Sequence, residues 1–337
     1  MNSFGRFFKV EIFGESHGSG VGVVVDGCPP GLSLGTDDFE ADLARRKSGA
    51  LGTTPRRESD SPQILSGIFQ GTSTGSPICL FFPNGDTRSK DYGRFYEVPR
   101  PGHADFTSRI KYGGFSDPRG SGHFSGRVTA GLVAAGVIAK KILGPAEFFT
   151  RLVQAGGRED IEAAIQEALE AGDSIGALVE TKVSGLPAGL GEPFFDACES
   201  MIAHAVFAVP AVRGVEFGDG FSAARKKGSE HNDPIVDKTG RTSRNGAGGI
   251  NGGISNGNDI VFRVAVKPAS SISRPQETFD FSANVMTTLE IEGRHDACIA
   301  LRSAVVIEAA AAIALADLRL GAKAGEPAAL RELWRKP

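Results

Sequence analysis

The chain has 337 residues, 40% hydrophobic and 23% charged, which excludes a disordered or fibrous protein and allows one large domain or two. Its net charge, 37 basic minus 40 acidic residues or −3, removes the basic field on which nonspecific nucleic-acid binding relies, so any anion site is local. Glycine, at 45 residues, stands at roughly twice its usual share, so many backbone positions turn tightly or approach something closely.

In chain order, Met1 to Arg6 leads into a strand-like segment without an apolar signal core, which predicts no export. Gly14 to Leu32 then echoes in Gly172 to Leu190: at a constant offset of 158 residues, nine of 19 positions are identical, among them Ser16/Ser174, Pro29/Pro187 and Leu32/Leu190. Both copies precede a predicted helix. Asp37 to Arg46 has Thr36 as its cap, with Phe39 and Leu43 facing in, and Asp196 to Val206 has Met201 and Ile202 facing in. Short strands ended by glycine follow at Ile64 to Gly71 and Ala211 to Gly218. Each half carries a long apolar helix, near Val128 to Leu143 and Ala297 to Leu320, the second apolar nearly all round and therefore central. The longest uncharged apolar run, Val128 to Ala139, has 12 residues, short of the ~20 that cross a bilayer. Residues 159 to 171 predict an amphipathic surface helix, with Ile161, Ile165 and Leu169 spaced by four. Arg45 to Pro62, Pro83 to Gly126 and Ser222 to Asn258 read as long binding loops or disordered segments. Strand-rich segments around buried helices predict an α+β fold of two internally related halves. Four cysteines (Cys28, Cys79, Cys198, Cys298) form no CxxC pair and fit reduced, cytosolic thiols.

Gly14-Glu15-Ser16-His17-Gly18 fits the nucleophile elbow of α/β-hydrolases, but β-branched Val21 to Val25 follow where that elbow needs a helix. Its second copy, Gly172-Asp173-Ser174-Ile175-Gly176, makes a turn used twice the simpler explanation. His17 stands where the other half has Ile175, so the scaffold does not need histidine there. No dinucleotide fingerprint, Walker lysine, paired carboxylates or metal-ligand cluster is present, and no metal is expected.

Anion chemistry gathers in three places. Arg45, Arg46, Lys47, Arg56 and Arg57 supply five cations and no acid between residues 45 and 57, suited to phosphate or carboxylate oxygens or to a solvated face. Arg100, His103, Asp105, Arg119, His123, Ser125 and Arg127 lead to the helix at Val128, whose start favours an anion. Arg294-His295-Asp296 precedes the second long helix, with Asp296 readable as its N-cap. Lys267 to Ser271 forms a turn with a cation and two hydroxyls.

Taken together, Gly14 to Gly31, Arg100 to Asp105, Ser125-Gly126-Arg127, Lys267 to Ser271 and Arg294-His295-Asp296 resemble the chorismate synthase family in order and spacing from about residue 5 to 320. The resemblance implies a single domain over 1–337 with half-repeats about 14–143 and 172–320, and a helical core sandwiched between antiparallel sheets. It implies a cytoplasmic homotetramer acting on a small molecule: a lyase eliminating phosphate from 5-enolpyruvylshikimate 3-phosphate to give chorismate, with reduced FMN as cofactor. A separate flavin reductase is an open partner; nucleic acid and membrane are not expected. Carried over, His17 would protonate the reduced flavin, His103 would assist the departing phosphate, and Asp296 would help the flavin accept the substrate C6 proton. Flavin contacts would fall on His123, Phe124, Ser125, Ala211, Gly252, Lys267, Pro268, Ala269, Ser270, Ser271 and Arg294, with Arg46 and Arg127 on anionic groups. The sequence departs from the family at Ala50-Leu51-Gly52, where a second arginine is common, at His123-Phe124, at Pro210, where an asparagine is frequent, and at Ala297, where proline is usual. Two other classes fit parts of the chain: a non-catalytic phosphoanion-binding protein, and a hydrolase using Ser16.

Overall fold

A computed structural model describes residues 1–49, 51–53, 60–85, 93–291 and 295–325. The first half runs β1 (Ser3–Phe4), β2 (Lys9–Gly14), β3 (Gly20–Asp26), α1 (Glu40–Arg46), β4 (Gln63–Ser66), β5 (Ile68–Phe69), β6 (Thr72–Ser73), β7 (Ile78–Pro83), α2 (Asp105–Lys111) and α3 (Thr129–Leu143). The second runs β8 (Glu147–Ala155), α4 (Ile161–Glu170), β9 (Ala177–Ser184), α5 (Cys198–Phe207), β10 (Val212–Phe217), α6 (Gly228–His231), β11 (Ile250–Asn251), β12 (Ile254–Ser255), β13 (Ile260–Val266), β14 (Gln276–Asp280), β15 (Val285–Leu289) and α7 (Ala300–Gly325).

Two antiparallel sheets enclose the helices. Their strand orders are β1-β2-β3-β7-β4 and β10-β13-β9-β8. Written outward from β8, the second sheet reads β8-β9-β13-β10, the counterpart of β2-β3-β7-β4. The periodicity that makes these strands is plain in β13, where Ile260, Phe262, Val264 and Val266 are buried and the residues between them are not. The inward residues of both sheets meet α3 and α7 in one continuous core.

The repeat is visible at atomic detail. Ser73 Oγ donates to Pro29 O at 2.7 Å and accepts from Leu32 N–H at 2.9 Å. Ser255 Oγ donates to Pro187 O at 2.8 Å and accepts from Leu190 N–H at 2.9 Å. The identical prolines and leucines of the echo are thus held by one serine clamp used twice. A single residue, Gly67, separates β4 from β5, whereas a long segment containing α6 separates their counterparts β10 and β11.

The α3–α7 crossing requires Gly136: a β-carbon there would lie 2.4 Å from Ala309 Cβ, so any side chain pushes the helices apart. Along α7, Ser303 to Asp317 are all buried, as the all-round apolar pattern predicts. Two charges sit within that stretch. Glu308 takes a bidentate pair from Arg45 at 2.7 and 2.9 Å and a short contact from Lys140. Asp317 Oδ1 accepts the backbone N–H groups of Arg6, Phe7 and Phe8 at 2.6 to 2.8 Å. No helix among the described residues is long and apolar enough to cross a membrane.

Some local expectations need correction. The first helix opens with a 3₁₀ turn at Thr36–Phe39, and Gly35, not Thr36, is its cap, its N–H donating to Asp38 Oδ2 at 2.8 Å. The helix of the second copy starts at Cys198, two residues late, with Ile202 buried and Met201 only partly so. The final helix begins at Ala300, so Asp296 lies outside it and is not its N-cap. The loop 83–126 contains α2, and 222–258 contains α6 and the β11–β12 hairpin.

Candidate active site

Between the sheets opens a cavity of about 1190 Å3, into which loops from both halves project. His103, His123, Phe124, Ser125, Ala211, Lys267, Pro268, Ala269, Ser270, Ser271 and Asp296 all line it. A second compartment of about 450 Å3 is lined by Arg46, Asp60, Arg127 and Arg302 and shares Ser125, Gly126 and Asp296 with the first. Gly252 lies outside both, exposed at the β11–β12 turn. Arg294, like Arg56 and Arg57, falls outside the described residues.

His17 lies in the turn between β2 and β3 and is buried. That turn joins antiparallel neighbours, which removes the strand-to-helix context a nucleophile elbow needs. Ser16 is fully buried. The turn is fixed from the far side by the segment entering α3: Ser16 N–H donates to Gly122 O at 3.1 Å. Gly120, Ser121 and Gly122 have φ of 57°, 67° and 53°, a run of left-handed backbone that costs energy at Ser121 and accumulates at functional sites. Gly120 lies over the His17 ring, and Ser121 Oγ lies 3.4 Å from His103 Nε2. The two histidines, distant in sequence, thus flank one loop, but only His103 is among the residues that line the cavity, with Gly120 between it and His17.

His103 belongs to a dense polar cluster. Its Nδ1 meets Asp105 Oδ1 at 2.6 Å, and Arg100 bonds the same carboxylate through Nε and Nη2, both at 2.8 Å. Burial pushes the Asp105 carboxyl up, but hydrogen bonds from Arg100 and His103 outweigh it and hold the group well below the usual carboxylate range. The Lys267 turn closes on the same loop: Lys267 Nζ donates to Gly102 O at 2.5 Å and Ser270 Oγ to the same oxygen at 2.9 Å. Ala211, with φ 72°, accepts the Lys267 N–H at 2.9 Å. His123 bridges Gly14 O at 2.8 Å and Asn2 Oδ1 at 3.2 Å. His295, also on the cavity wall, is half-buried, and burial lowers its pKa.

In the smaller compartment Asp60 receives Arg46 Nη2 at 2.5 Å and a shorter contact from Arg127. Burial raises the Asp60 carboxyl, and the two guanidinium charges more than reverse this, so its pKa is lowered. Burial brings Arg46 down to about 10, still cationic at neutral pH. Two buried arginines against one carboxylate leave a net positive charge, and Arg46 Nε has no hydrogen-bond partner among the described residues. A buried donor without a partner marks a place for an acceptor. Arg302 ties this compartment to Asp296, donating to Arg46 O from Nε at 3.0 Å and lying 3.4 Å from Asp296 Oδ2 through Nη1.

Four residues escape the sequence reading. Asp60 and Arg302 do so because their partners are remote in sequence. Gly120 does so because its role is to leave space. Gly52 accepts Ala297 N–H at 2.9 Å, and a β-carbon there would meet Ile165 Cγ2 at 2.6 Å.

Comparison with known proteins agrees with this architecture. The family model described as chorismate synthase matches residues 8–320. A chorismate synthase of Chitinophaga pinensis is 58% identical over 321 residues, covering 95% of this chain and 97% of the relative. One of Dehalococcoides mccartyi is 48% identical over 353 residues, with coverage of 95% and 97%. A crystal structure of a chorismate synthase superposes with a TM-score of 0.72 at 27% identity, covering 94% of this chain and 93% of that one. With sequence similarity across nearly its whole length and a matching doubled sandwich, the chain belongs to the chorismate synthase family of lyases.

Proposed function

We propose that this enzyme converts 5-enolpyruvylshikimate 3-phosphate to chorismate by 1,4-elimination of phosphate, with reduced FMN bound in the main cavity. The observation that carries the reading is the convergence of His103, Asp296 and Lys267 to Ser271 on one cavity beside the Arg46–Asp60–Arg127 compartment. At about 1190 Å3 the cavity exceeds the ~300–1,000 Å3 of ordinary ligand pockets, which leaves room for a tricyclic ring and a substrate together. Its lining suits that pair: an ammonium and two hydroxyls at Lys267, Ser270 and Ser271, an imidazole at His123, and apolar walls from Val10, Ile12, Leu132 and Ile313. Reduced FMN, when bound, supplies the electron density that C–O cleavage needs.

The chain's own residues bind, orient and move protons. Arg46 and Arg127, at most 4% exposed, neutralise the substrate's anionic groups where burial strengthens charge pairs. His103 holds a proton at Nε2 for the departing phosphate. His17 holds a proton at the Gly120 wall, and Asp296, shared by both compartments, polarises the place where the C6 proton is taken up. Fully exposed aromatics such as Phe115, Phe194 and Phe195 support association of copies. The same reading has this single-domain chain act as a cytoplasmic homotetramer whose flavin is reduced either by itself or by a separate reductase.

An anaerobic assay with photoreduced FMN, following chorismate absorbance, tests this. His17→Ala and His103→Ala are expected to fold and to lose about 10²- to 10⁴-fold in turnover. A variant lacking both histidines that runs near the parental rate refutes the assignment, and ligand binding without chorismate formation by the parent makes the chain an anion binder.

A further inference from the structure

We propose that Asp105, braced by Arg100, is the positioning residue for His103, fixing the ring so that protons are exchanged only at Nε2. The proposal rests on the reading of His103 as the donor to the departing phosphate.

Asp105 opens α2 and its carboxylate is saturated: Oδ1 meets His103 Nδ1 at 2.6 Å and Arg100 Nη2 at 2.8 Å, while Oδ2 takes Arg100 Nε at 2.8 Å and the Arg100 backbone N–H at 3.1 Å. Arg100 is itself held by Ser121 Oγ at 3.0 Å, by Ser271 Oγ at 3.1 Å and by the Phe95 ring, 4.4 Å from its centroid. Neither side chain can turn without breaking several bonds.

The tautomer follows from competition at Nδ1. Arg100 Nη2, 3.1 Å away, can only donate and would need a bare nitrogen there. Asp105 Oδ1, at 2.6 Å, can only accept and needs an N–H. The shorter, charge-assisted contact prevails, because a bare Nδ1 would set its lone pair against a carboxylate oxygen. Nδ1 therefore keeps its hydrogen in both charge states of the ring. Nε2, 3.4 Å from Ser121 Oγ, is left as the nitrogen that gains and loses the proton. A histidine without this brace has two tautomers and a free χ2, and only a fraction of its conformers presents a proton to a leaving group.

The test is a double-mutant cycle in the holoenzyme, with anaerobic chorismate formation and photoreduced FMN. Asp105→Ala is expected to lower kcat about 10- to 100-fold with KM for the substrate changed less than about threefold, and Asp105→Asn, whose amide oxygen still accepts Nδ1–H, to recover part of the loss. His103→Ala combined with Asp105→Ala is expected to be no slower than His103→Ala alone, since a positioning residue has nothing left to position. A double variant slower by the full Asp105→Ala factor overturns the proposal, as does Asp105→Ala with undiminished kcat, and both outcomes leave the role of His103 standing. His103→Ala at the parental rate removes that role and this proposal together. Where Asp105→Ala does not fold, Asp105→Asn decides on the same criterion: its kcat loss must vanish in the His103→Ala background.

Discussion

The ring of His17 occupies the space that a side chain on Gly120 would take: a β-carbon built there lies 2.3 Å from Cδ2 and 2.5 Å from Nε2. With φ of 57°, the position also disfavours any L side chain. Gly120→Ala is therefore expected to displace His17, destabilising the fold by about 1–3 kcal/mol and lowering turnover by at least about tenfold, a 1.4 kcal/mol effect. Thermal melts and the anaerobic assay read the two effects separately, and an alanine variant with parental turnover would show that the wall has slack.

Asp60 pairs with two arginines in a compartment where all three side chains are at most 4% exposed. Asp60→Ala leaves two buried cations facing each other. The expected loss is about 3–5 kcal/mol, the usual cost of breaking a buried pair from one side, measured as a fall in denaturant midpoint. The unpaired arginines should also bind inorganic phosphate more tightly than the parent does, which isothermal titration would detect.

The cluster of Arg45, Lys140, Asp42 and Glu308 makes a contrasting case, because it joins α1, α3 and α7 away from both cavities. Glu308→Gln should destabilise by about 3 kcal/mol or more, since it leaves Arg45 and Lys140 short of a partner. Replacing Glu308 and Lys140 together by leucine and methionine should recover much of that loss, as apolar substitution of a whole buried pair often does. If the double replacement is worse than Glu308→Gln, the pair is a net stabiliser of the helical layer.

Acid sensitivity follows from the same carboxylates. Burial raises Asp60, Asp105 and Glu308, and their cationic partners lower them further than burial lifts them, so the net displacement is downward in each. A carboxyl whose folded pKa lies below its unfolded value binds fewer protons in the native state. Its contribution is complete above the unfolded value of about 4 and is lost as pH falls through the folded values. Denaturant midpoints are expected to hold level from neutrality to about pH 5 and to drop steeply below about pH 4. Asp60→Asn should flatten that drop, having already lost the group that titrates.

Much of the layout was legible in the sequence because a duplicated fold repeats its pattern. The Pro29/Pro187 and Leu32/Leu190 identities mark real clamps, although the serines that make them, Ser73 and Ser255, lie outside the echo and gave no signal. The helix near Val128 to Leu143 announced itself by its uncharged apolar run. Asp296 was open to misreading as an N-cap because nothing local distinguishes an acid before a helix from one that caps it. Asp60 lies three residues beyond the cationic run that supplies its partner Arg46, and its second partner, Arg127, is brought to it by the fold. Gly52 and Gly120 matter for volume left empty, which only coordinates reveal.

In each half the Gly-Ser turn is tied by an amide to the loop entering the long helix: Ser16 N–H to Gly122 O at 3.1 Å, and Ile175 N–H to Ala297 O at 2.8 Å. Because the tie is made by main chain, it does not depend on which side chain stands at the crest of each turn. One crest thus carries an imidazole and its twin a hydrocarbon packed on the core, and histidine grafted onto the Ile175 crest should keep the main-chain tie while giving up that packing.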